Sequence, residues 1–384
     1  MRTRRFLFLC GAPRSGTTLL LNLLDGHSQI NAIPHENRFL AQWNRHKTQG
    51  DTRRFARRDV LFTPDFLQFV DEGFRETMER YIEKTYGRKR IWKKIFDWES
   101  AADCFMGQIP DGREPTVADL YQGLAAMYGQ QTGQADKPLA AEKRPLDNEI
   151  SAVHLAALFP EARFIHILRD PRTRYISSKT RRILPRRGYA PNLYGKSFAQ
   201  VLAEIAMVSL RLAQLNRKVL GERYLVIRFE SLMRDTEGVM QEVAAHLGVE
   251  FEESLLSQTT YNGIPHGPVS SMKGGTVSQQ QGGVADHSTR RLEKFHRDTS
   301  QLERRLLSYL CAEAAAPFAY DLEPCERLTM RDLLGPIRRE DPFHILGNRH
   351  WMLKHLCRPP RTIAVTQLYQ QILEQFDQGI EHQD

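Results

Sequence analysis

Phe6–Leu24 reads FLFLCGAPRSGTTLLLNLL, and this stretch decides the fold. Its first part, Phe6–Cys10, is apolar and predicts a buried strand, whereas the aliphatic run after Thr18 predicts a helix. A turn with two glycines, residues 11–18, joins them. In this order, backbone N–H groups of the turn and the positive end of the helix dipole converge on one point. The stretch therefore predicts a pocket for a phosphate or a similar anion.

The residues of this turn match a Walker P-loop except at one position. Gly11 and Gly16 have the GxxxxG spacing, and Thr18 occupies the Ser/Thr position. Thr17 stands where the lysine that reaches the β- and γ-phosphates of a nucleotide should be. The cation is instead Arg14, inside the turn. The pattern therefore does not favour ATP or GTP hydrolysis.

Two simpler explanations exist for the same stretch. One is an ordinary glycine turn before a helix, without a ligand. The other is a secretory signal, because Arg2, Arg4 and Arg5 precede the apolar residues. Pro13-Arg14 interrupts the apolar run and no small-residue cleavage site follows, which argues against a signal peptide.

The composition is that of an ordinary globular enzyme, with 384 residues, 41% hydrophobic and 26% charged. No apolar run approaches the roughly 18 residues of a membrane span. The sequence therefore predicts no span and a cytoplasmic location. The 5 cysteines lack CxxC spacing and predict reduced thiols rather than disulfides or a zinc site. The net charge of +8 fits an anionic ligand, while nucleic acid is not predicted, because no recognised nucleic-acid module is present.

Beyond residue 140, strand-like and helix-like segments alternate. The strands are Arg163–Leu168 and Arg223–Phe229, and the helices are Glu149–Phe159, Thr173–Ile183 and Phe198–Leu220. Such alternation predicts an α/β fold with a parallel β-sheet flanked by helices. Ligands of such sheets bind outside the carboxyl ends of the strands. The turn at 11–18 and the segment 169–179 are therefore expected to face one cleft.

The sequence predicts one main domain over residues 1–323. Within it, residues 37–140 are irregular and carry helical patches at Phe66–Tyr86 and Val117–Gln131. This segment is expected to form a helical cap inserted on the substrate side.

Two later segments are less regular. Residues 263–290 are rich in Gly, Ser and Gln and predict a mobile loop. Residues 324–384 are punctuated by proline and contain one predicted helix near Val365–Phe376. They form a C-terminal extension to which the sequence assigns no role.

A second anion site is predicted where the strand Arg163–Leu168 ends. Arg169 follows this strand, and Ser177 lies eight residues on, in the next helix. One guanidinium and one hydroxyl at such positions can clasp a phosphate. A surface ion pair for Arg169 is an alternative. The strand could also be a Walker B strand with Asp170 on Mg²⁺, although the adjacent Arg169 would oppose a metal ion.

Three motifs, in this order, resemble the sulfotransferases that depend on 3′-phosphoadenosine 5′-phosphosulfate (PAPS). They are PRSGTT at Pro13–Thr18, FPEARFIHILRDPRTRYISS at Phe159–Ser178 and RYLVIRFESL at Arg223–Leu232. The resemblance covers about residues 5–50 and 140–320 and implies a P-loop NTPase-like sulfotransferase fold. In motif style it is nearest to the tyrosylprotein and Golgi-type branch. One departure is Phe229, where the family often has Tyr.

The resemblance also implies which residues hold the co-substrate. In the family, the first loop binds the 5′-phosphosulfate, which implies Arg14, Ser15, Gly16, Thr17 and Thr18. The strand-end Arg and the later Ser bind the 3′-phosphate, which implies Arg169 and Ser177, with Lys273 as a further candidate. The implied co-substrate is PAPS, and no metal ion is required.

The catalytic residues are expected to position the reactants, to stabilise charge on the leaving phosphate and to take a proton from the acceptor. By position, the family's Glu after the first helix is Glu36, which is the predicted base. His35 is the alternative, with an ordinary pKa of about 6.5. Arg14 and Lys143 are predicted to stabilise the leaving group. Glu36 could instead pair with Arg38 or cap a helix, and His35 could be structural.

Two other functions stay open from the sequence. A small-molecule kinase would bind ATP with Mg²⁺, against which Thr17 argues. A non-catalytic relative would bind the bisphosphorylated nucleotide and yield no sulfated product. No part of the sequence identifies the acceptor, so a small molecule, a glycan and a peptide tyrosine are all compatible with it. The sequence does not indicate the oligomeric state.

Overall fold

The computed structural model describes residues 4–36, 98–108, 117–180, 198–256, 260–261, 264–265, 284–325 and 327–328. The predicted helices at Phe66–Tyr86 and Val365–Phe376 lie outside these residues. The candidate ligand Lys273 lies outside them as well.

The described strands confirm the predicted sheet. They are β1 Arg5–Cys10, β2 Ile30–Glu36, β3 Leu139–Lys143, β4 Arg163–Leu168, β5 Tyr224–Arg228, β6 Thr260–Tyr261 and β7 Ile264–Pro265. The first five form one sheet in the order β2-β3-β1-β4-β5, and β6 and β7 form a separate antiparallel pair. The large sheet is parallel and flanked by helices, as the alternation of segments predicts.

The helices occupy most of the remaining described chain. They are α1 Thr17–Leu24, α2 Trp98–Met106, α3 Val117–Gln131, α4 Asp147–Ile150, α5 Ala152–Leu158, α6 Pro171–Thr180, α7 Phe198–Leu220, α8 Phe229–Arg234, α9 Thr236–Leu247, α10 Val284–Asp298 and α11 Gln301–Ala315. Short 3-10 turns follow at Gly221–Arg223, Glu253–Leu256 and Ala316–Phe318. Helices α3 and α7 have the bounds that the sequence predicts.

Strand β3 is one of the elements that the sequence analysis misses. It lies between β2 and β1, and all five of its residues are buried. Its sequence, LAAEK, contains no β-branched or aromatic residue, which are the types enriched in strands. The neighbours on both sides, rather than local preference, therefore hold this segment in the extended conformation.

Other elements differ from the prediction in their bounds, among them α6, which begins at Pro171 rather than at Thr173. The helix predicted over Glu149–Phe159 is two helices, α4 and α5, separated at Ser151. The strand predicted to end at Phe229 ends one residue earlier, because Phe229 begins α8. The loop predicted over 263–290 is helical from Val284 onward.

The chain falls into two compact units. The first unit comprises residues 1–10, 18–165 and 240–278, and the second comprises 11–17, 166–239 and 279–384. In the first unit, Phe6 and Phe8 of β1 pack against Tyr121 of α3, with ring centroids 5.8 and 5.6 Å apart. Phe159 lies 4.6 Å from the Phe6 ring. Helix α3 thus belongs to the core of this unit, while the role of 37–140 as a substrate-side cap stays a prediction.

The core of the second unit is built around α7 and α11, which pack along each other. Leu210 of α7, Leu307 and Cys311 of α11 and Tyr175 and Ile176 of α6 belong to one buried apolar cluster. Helix α6, which follows the strand-end Arg169, is therefore fixed by packing on one face. Other residues of α6 form part of the candidate functional site.

Candidate functional site

The glycine turn at residues 11–17 lies in the second unit and has an unusual backbone. Gly11, Arg14 and Gly16 have φ values of 142°, 78° and 113°. A Cβ atom on Gly16 would lie 2.6 Å from Phe229 Cδ2, and one on Gly11 would lie 2.6 Å from the carbonyl oxygen of Ile167. Both positions therefore require glycine, for space as well as for backbone conformation.

Two arginines hold consecutive carbonyl groups of this turn. Arg169 donates from Nη1 to the carbonyl oxygen of Arg14 at 3.2 Å, and Arg174 donates from Nη1 to that of Pro13 at 3.2 Å. Arg174 also donates to the carbonyl oxygen of Leu202 in α7. Burial lowers the pKa of Arg174 to about 10, which leaves the guanidinium charged at neutral pH. The turn is thus fixed to α6 and α7 through its carbonyls.

The predicted ligands Arg14, Arg169 and Ser177 come together beside the turn. Arg14 Nε donates to Ser177 Oγ at 3.3 Å. Arg169 Nε donates to Thr173 Oγ1 at 3.1 Å, and its guanidinium carbon lies 4.2 Å from the centroid of the Phe229 ring. Phe229, which departs from the family's tyrosine, thus acts here as an apolar platform for a cation.

Charged groups of both signs act on Arg169. Burial lowers the pKa of Arg169 to about 10; Glu230 and Asp170 oppose this shift, whereas Arg291 and Arg14 add to it. Asp170, the alternative Mg²⁺ ligand, is ion-paired with Arg172 at 2.7 Å. The guanidinium of Arg169 therefore stays charged at neutral pH.

A buried polar chain that the sequence analysis misses also supports the turn. The backbone N–H of Ala12 donates to Ser209 Oγ at 3.1 Å, and Ser209 Oγ lies 2.9 Å from His166 Nε2. The other ring nitrogen of His166 lies 2.8 Å from the Tyr224 hydroxyl, which accepts a hydrogen bond from Asn216. Burial lowers the pKa of His166 to about 3, so the imidazole is neutral. These residues share no local motif, since they are distant in sequence.

Three of the predicted catalytic residues, His35, Glu36 and Lys143, lie in the first unit, at the carboxyl ends of two neighbouring strands, whereas Arg14 lies in the second unit. Glu36 of β2 and Lys143 of β3 are register partners, and Lys143 also pairs with Leu9 of β1. The β2 register shifts between Ala32 and Glu36. Pro34 lies within this shift, and proline has no N–H for a ladder hydrogen bond. The Lys143 side chain is buried.

The structure groups the predicted site residues in two sets. In the second unit lie Arg14, Ser15, Gly16, Thr17, Arg169 and Ser177. In the first unit lie Thr18, His35, Glu36 and Lys143. The backbone N–H of Ser15 donates to the carbonyl oxygen of Ala12 at 3.0 Å and closes the turn. No helix within the described ranges combines the length and the apolar character needed to cross a membrane.

Solved structures of similar fold include two sulfotransferase domains. The one from the Synechococcus PCC 7002 olefin synthase is 23% identical, covers 84% of this chain and 98% of its own, and has a TM-score of 0.48. The one from the curacin biosynthetic pathway is 20% identical, covers 84% and 100%, and has a TM-score of 0.49. A sulfotransferase from Mycobacterium avium, STF9, is 15% identical, covers 84% and 79%, and has a TM-score of 0.37.

Because these TM-scores are low, the family assignment depends on the sequence of the chain. No curated protein sequence matches it closely enough to be named as a relative. A family model described as "Sulfotransferase family" matches residues 7–253, which is well over half of the chain. The matched range contains the glycine turn, the strand-end Arg169 and the helix with Ser177. The chain therefore belongs to the sulfotransferase family.

Proposed function

We propose that this protein transfers the sulfuryl group of PAPS to a hydroxyl or amine acceptor. In this reaction the acceptor atom forms a bond to sulfur in line with the leaving oxygen. The bond between sulfur and the 5′-phosphate oxygen breaks, and its electron pair stays on the phosphate. The acceptor's proton passes to a base, for which Glu36 is the first candidate and His35 the alternative.

The observation that carries this proposal is the cluster of Arg14, Arg169 and Ser177 beside a turn that lacks the Walker lysine. A nucleoside triphosphate needs a cation at position 17, where this chain has a buried threonine. A nucleotide with phosphates at both the 5′ and the 3′ position needs cations on two sides. The arrangement of Arg14 in the turn and Arg169 at the strand end supports the second type of ligand.

The proposed roles follow from the chemistry of each group. Arg14 and the turn face the 5′-phosphosulfate, and Arg169 with the Ser177 hydroxyl faces the 3′-phosphate. Lys143 stabilises the negative charge that grows on the leaving phosphate. The transfer requires only a hydroxyl or an amine on the acceptor. The acceptor is therefore a small molecule, a glycan or a peptide, each of which can carry such a group.

The first experiment is calorimetry of the purified full chain with two nucleotides. We expect adenosine 3′,5′-bisphosphate to bind more tightly than ATP with Mg²⁺. Tight binding of ATP with Mg²⁺ and none of the bisphosphate would indicate a kinase and overturn the proposal.

The second experiment incubates the chain with PAPS and a panel of phenols, glycans and tyrosine peptides. Mass spectrometry should detect an acceptor that gains one SO₃ group as the bisphosphate product accumulates. Bisphosphate binding without product from any acceptor in the panel, or from a host metabolite extract, would favour a non-catalytic nucleotide binder instead.

A further inference from the structure

The turn between Lys143 and helix α4 has a strained backbone that is held by hydrogen bonds. Leu146 has a φ value of 71°, which is uncommon for residues other than glycine. Its N–H donates to Glu149 Oε2 at 3.1 Å, and the N–H of Asn148 donates to the carbonyl oxygen of Arg144 at 3.0 Å. The side chains of Glu149 and Asn148 are completely buried. The chain is therefore strained at the point where it brings Asn148 back to the sheet.

The side chain of Asn148 connects the ends of two neighbouring strands. Asn148 Nδ2 donates to the carbonyl oxygen of Leu9 in β1 at 3.1 Å. The same amide acts on Glu142 of β3: burial raises the pKa of Glu142 to about 7, and Arg144 and Asn148 oppose this rise. Leu9 is the register partner of Lys143, the residue after Glu142. Asn148 therefore holds β1 and β3 together at the level of Lys143.

This end of β3 needs such a side-chain contact, because the ladder stops there. Pro145 follows Lys143 by two residues and has no N–H with which to extend the ladder. The Asn148 amide supplies a donor to β1 at this point. Successive residues of a strand point to opposite faces, so Glu142 and Lys143 lie on different faces of the sheet. Asn148 thus holds the strand end from the face of Glu142 and leaves the face of Lys143 to the reaction.

We propose that Asn148 is a positioning residue for sulfuryl transfer, which holds the end of β3 so that the Lys143 ammonium group faces the leaving phosphate. This inference rests on the proposed function, in which Lys143 stabilises the charge that grows on that phosphate. Displacing such a group slightly lowers the rate of the chemical step more than it weakens nucleotide binding. Loss of the Asn148 amide should therefore lower kcat, and it should do so through Lys143.

Asn31 offers a matched control in the same unit. Its side chain is also completely buried, and its Nδ2 donates to the carbonyl oxygen of Ala125 in α3 at 3.0 Å. Asn31 is the register partner of Ala140, which precedes Lys143 in β3 by three residues, or about 10 Å. Asn31→Ala therefore removes the same kind of buried hydrogen bond at the other end of the strand.

The first test measures kcat and the KM for PAPS in the wild-type chain, Asn148→Ala, Lys143→Ala, the double variant and Asn31→Ala. We expect Asn148→Ala to lower kcat about tenfold, with a KM within about threefold of the wild-type value. In the Lys143→Ala background, Asn148→Ala should change kcat less than about twofold, because its effect requires the lysine. Asn31→Ala should keep the wild-type kcat. Calorimetric titration with adenosine 3′,5′-bisphosphate counts the folded sites, so a partly unfolded sample does not mimic a loss of kcat.

The second test uses Asn148→Asp, which keeps the shape of the side chain. Its carboxyl group can donate to the Leu9 carbonyl oxygen only when it is protonated. The kcat of Asn148→Asp, relative to that of the wild-type chain at the same pH, should therefore rise as the pH falls. A relative kcat that does not change with pH would contradict a role for the donor.

The outcomes separate this inference from the proposed function. If the wild-type chain forms no sulfated product, both are wrong. If it forms product and Asn148→Ala keeps the wild-type kcat, only the role of Asn148 is wrong. An equal loss of kcat in Asn31→Ala, or a full further loss in the Lys143→Ala background, would also overturn that role, because it would indicate a general effect of lost stability.

Discussion

Arg14 Nε donates a hydrogen bond to Ser177 Oγ at 3.3 Å. The resemblance to the sulfotransferases implies that these residues contact different phosphates of one nucleotide, yet in the folded chain their side chains are in contact. The guanidinium of Arg169 adjoins the pair through the Arg14 carbonyl oxygen. The residues of the two predicted anion sites thus form one continuous polar cluster.

We expect Arg14→Ala and Arg169→Ala each to weaken binding of adenosine 3′,5′-bisphosphate by about 10- to 100-fold, since each removes a charge-assisted contact to phosphate. Calorimetry measures the change. Arg217→Ala removes an exposed guanidinium from the last turn of α7 and should bind like the wild-type chain. Unchanged binding in both site variants would contradict the assignment.

Glu36→Gln should lower kcat at least 100-fold, while bisphosphate affinity stays within about threefold, because a general base acts on the acceptor's proton and not on the nucleotide. His35→Gln should retain most of the turnover. If His35→Gln loses turnover and Glu36→Gln keeps it, His35 is the base and Glu36 is not. Glu237→Gln, an exposed site on α9, controls for the loss of one carboxylate.

Ser209→Ala should destabilise the chain by about 1–3 kcal/mol, because it leaves the buried N–H of Ala12 and a ring nitrogen of His166 without this partner. Urea unfolding should show a lower midpoint at an unchanged m-value. We also expect weaker bisphosphate binding, since the turn loses an anchor. The same substitution at the half-buried Ser231 of α8 is the control. Equal midpoints for the Ser209 variant and the wild type would rule out this anchoring role.

Glu142 should make stability fall as pH rises toward neutrality. Burial raises the pKa of Glu142 from its ordinary value of 4.5 to about 7. Between these values the unfolded chain has released a proton that the folded chain still holds, so rising pH favours unfolding, by about 3 kcal/mol over the whole interval.

The variant Glu142→Gln mimics the neutral carboxyl and should lack this effect. The gap in unfolding free energy between the variant and the wild type should therefore open from about pH 4.5 to 7 and stay constant above. For the exposed Glu161→Gln, the unfolding free energy should change with pH as it does for the wild-type chain. If the unfolding free energy of Glu142→Gln also changes with pH as that of the wild-type chain does, the buried carboxyl does not titrate in this interval.

The sequence predicts well those elements whose residues carry their own pattern. The apolar residues of β4 and the amphipathic repeat of α7 give their bounds directly. Strand β3 has no such pattern, because LAAEK becomes a strand only through pairing on both sides. The sequence also does not predict the polar chain formed by Ser209, His166 and Tyr224, since each of them looks like an ordinary polar residue of a helix or strand.

By itself, the sequence determined the order of strand, glycine turn and helix, the absence of the Walker lysine and the pair of Arg169 and Ser177, because these depend on residue types at short spacing. Only the tertiary structure decided which distant groups meet. It joined Arg14 to Ser177 and bound Arg174 to the Pro13 carbonyl oxygen of the turn. The physical reason is that such contacts arise from the packing of whole helices and strands, whose relative register no local spacing records.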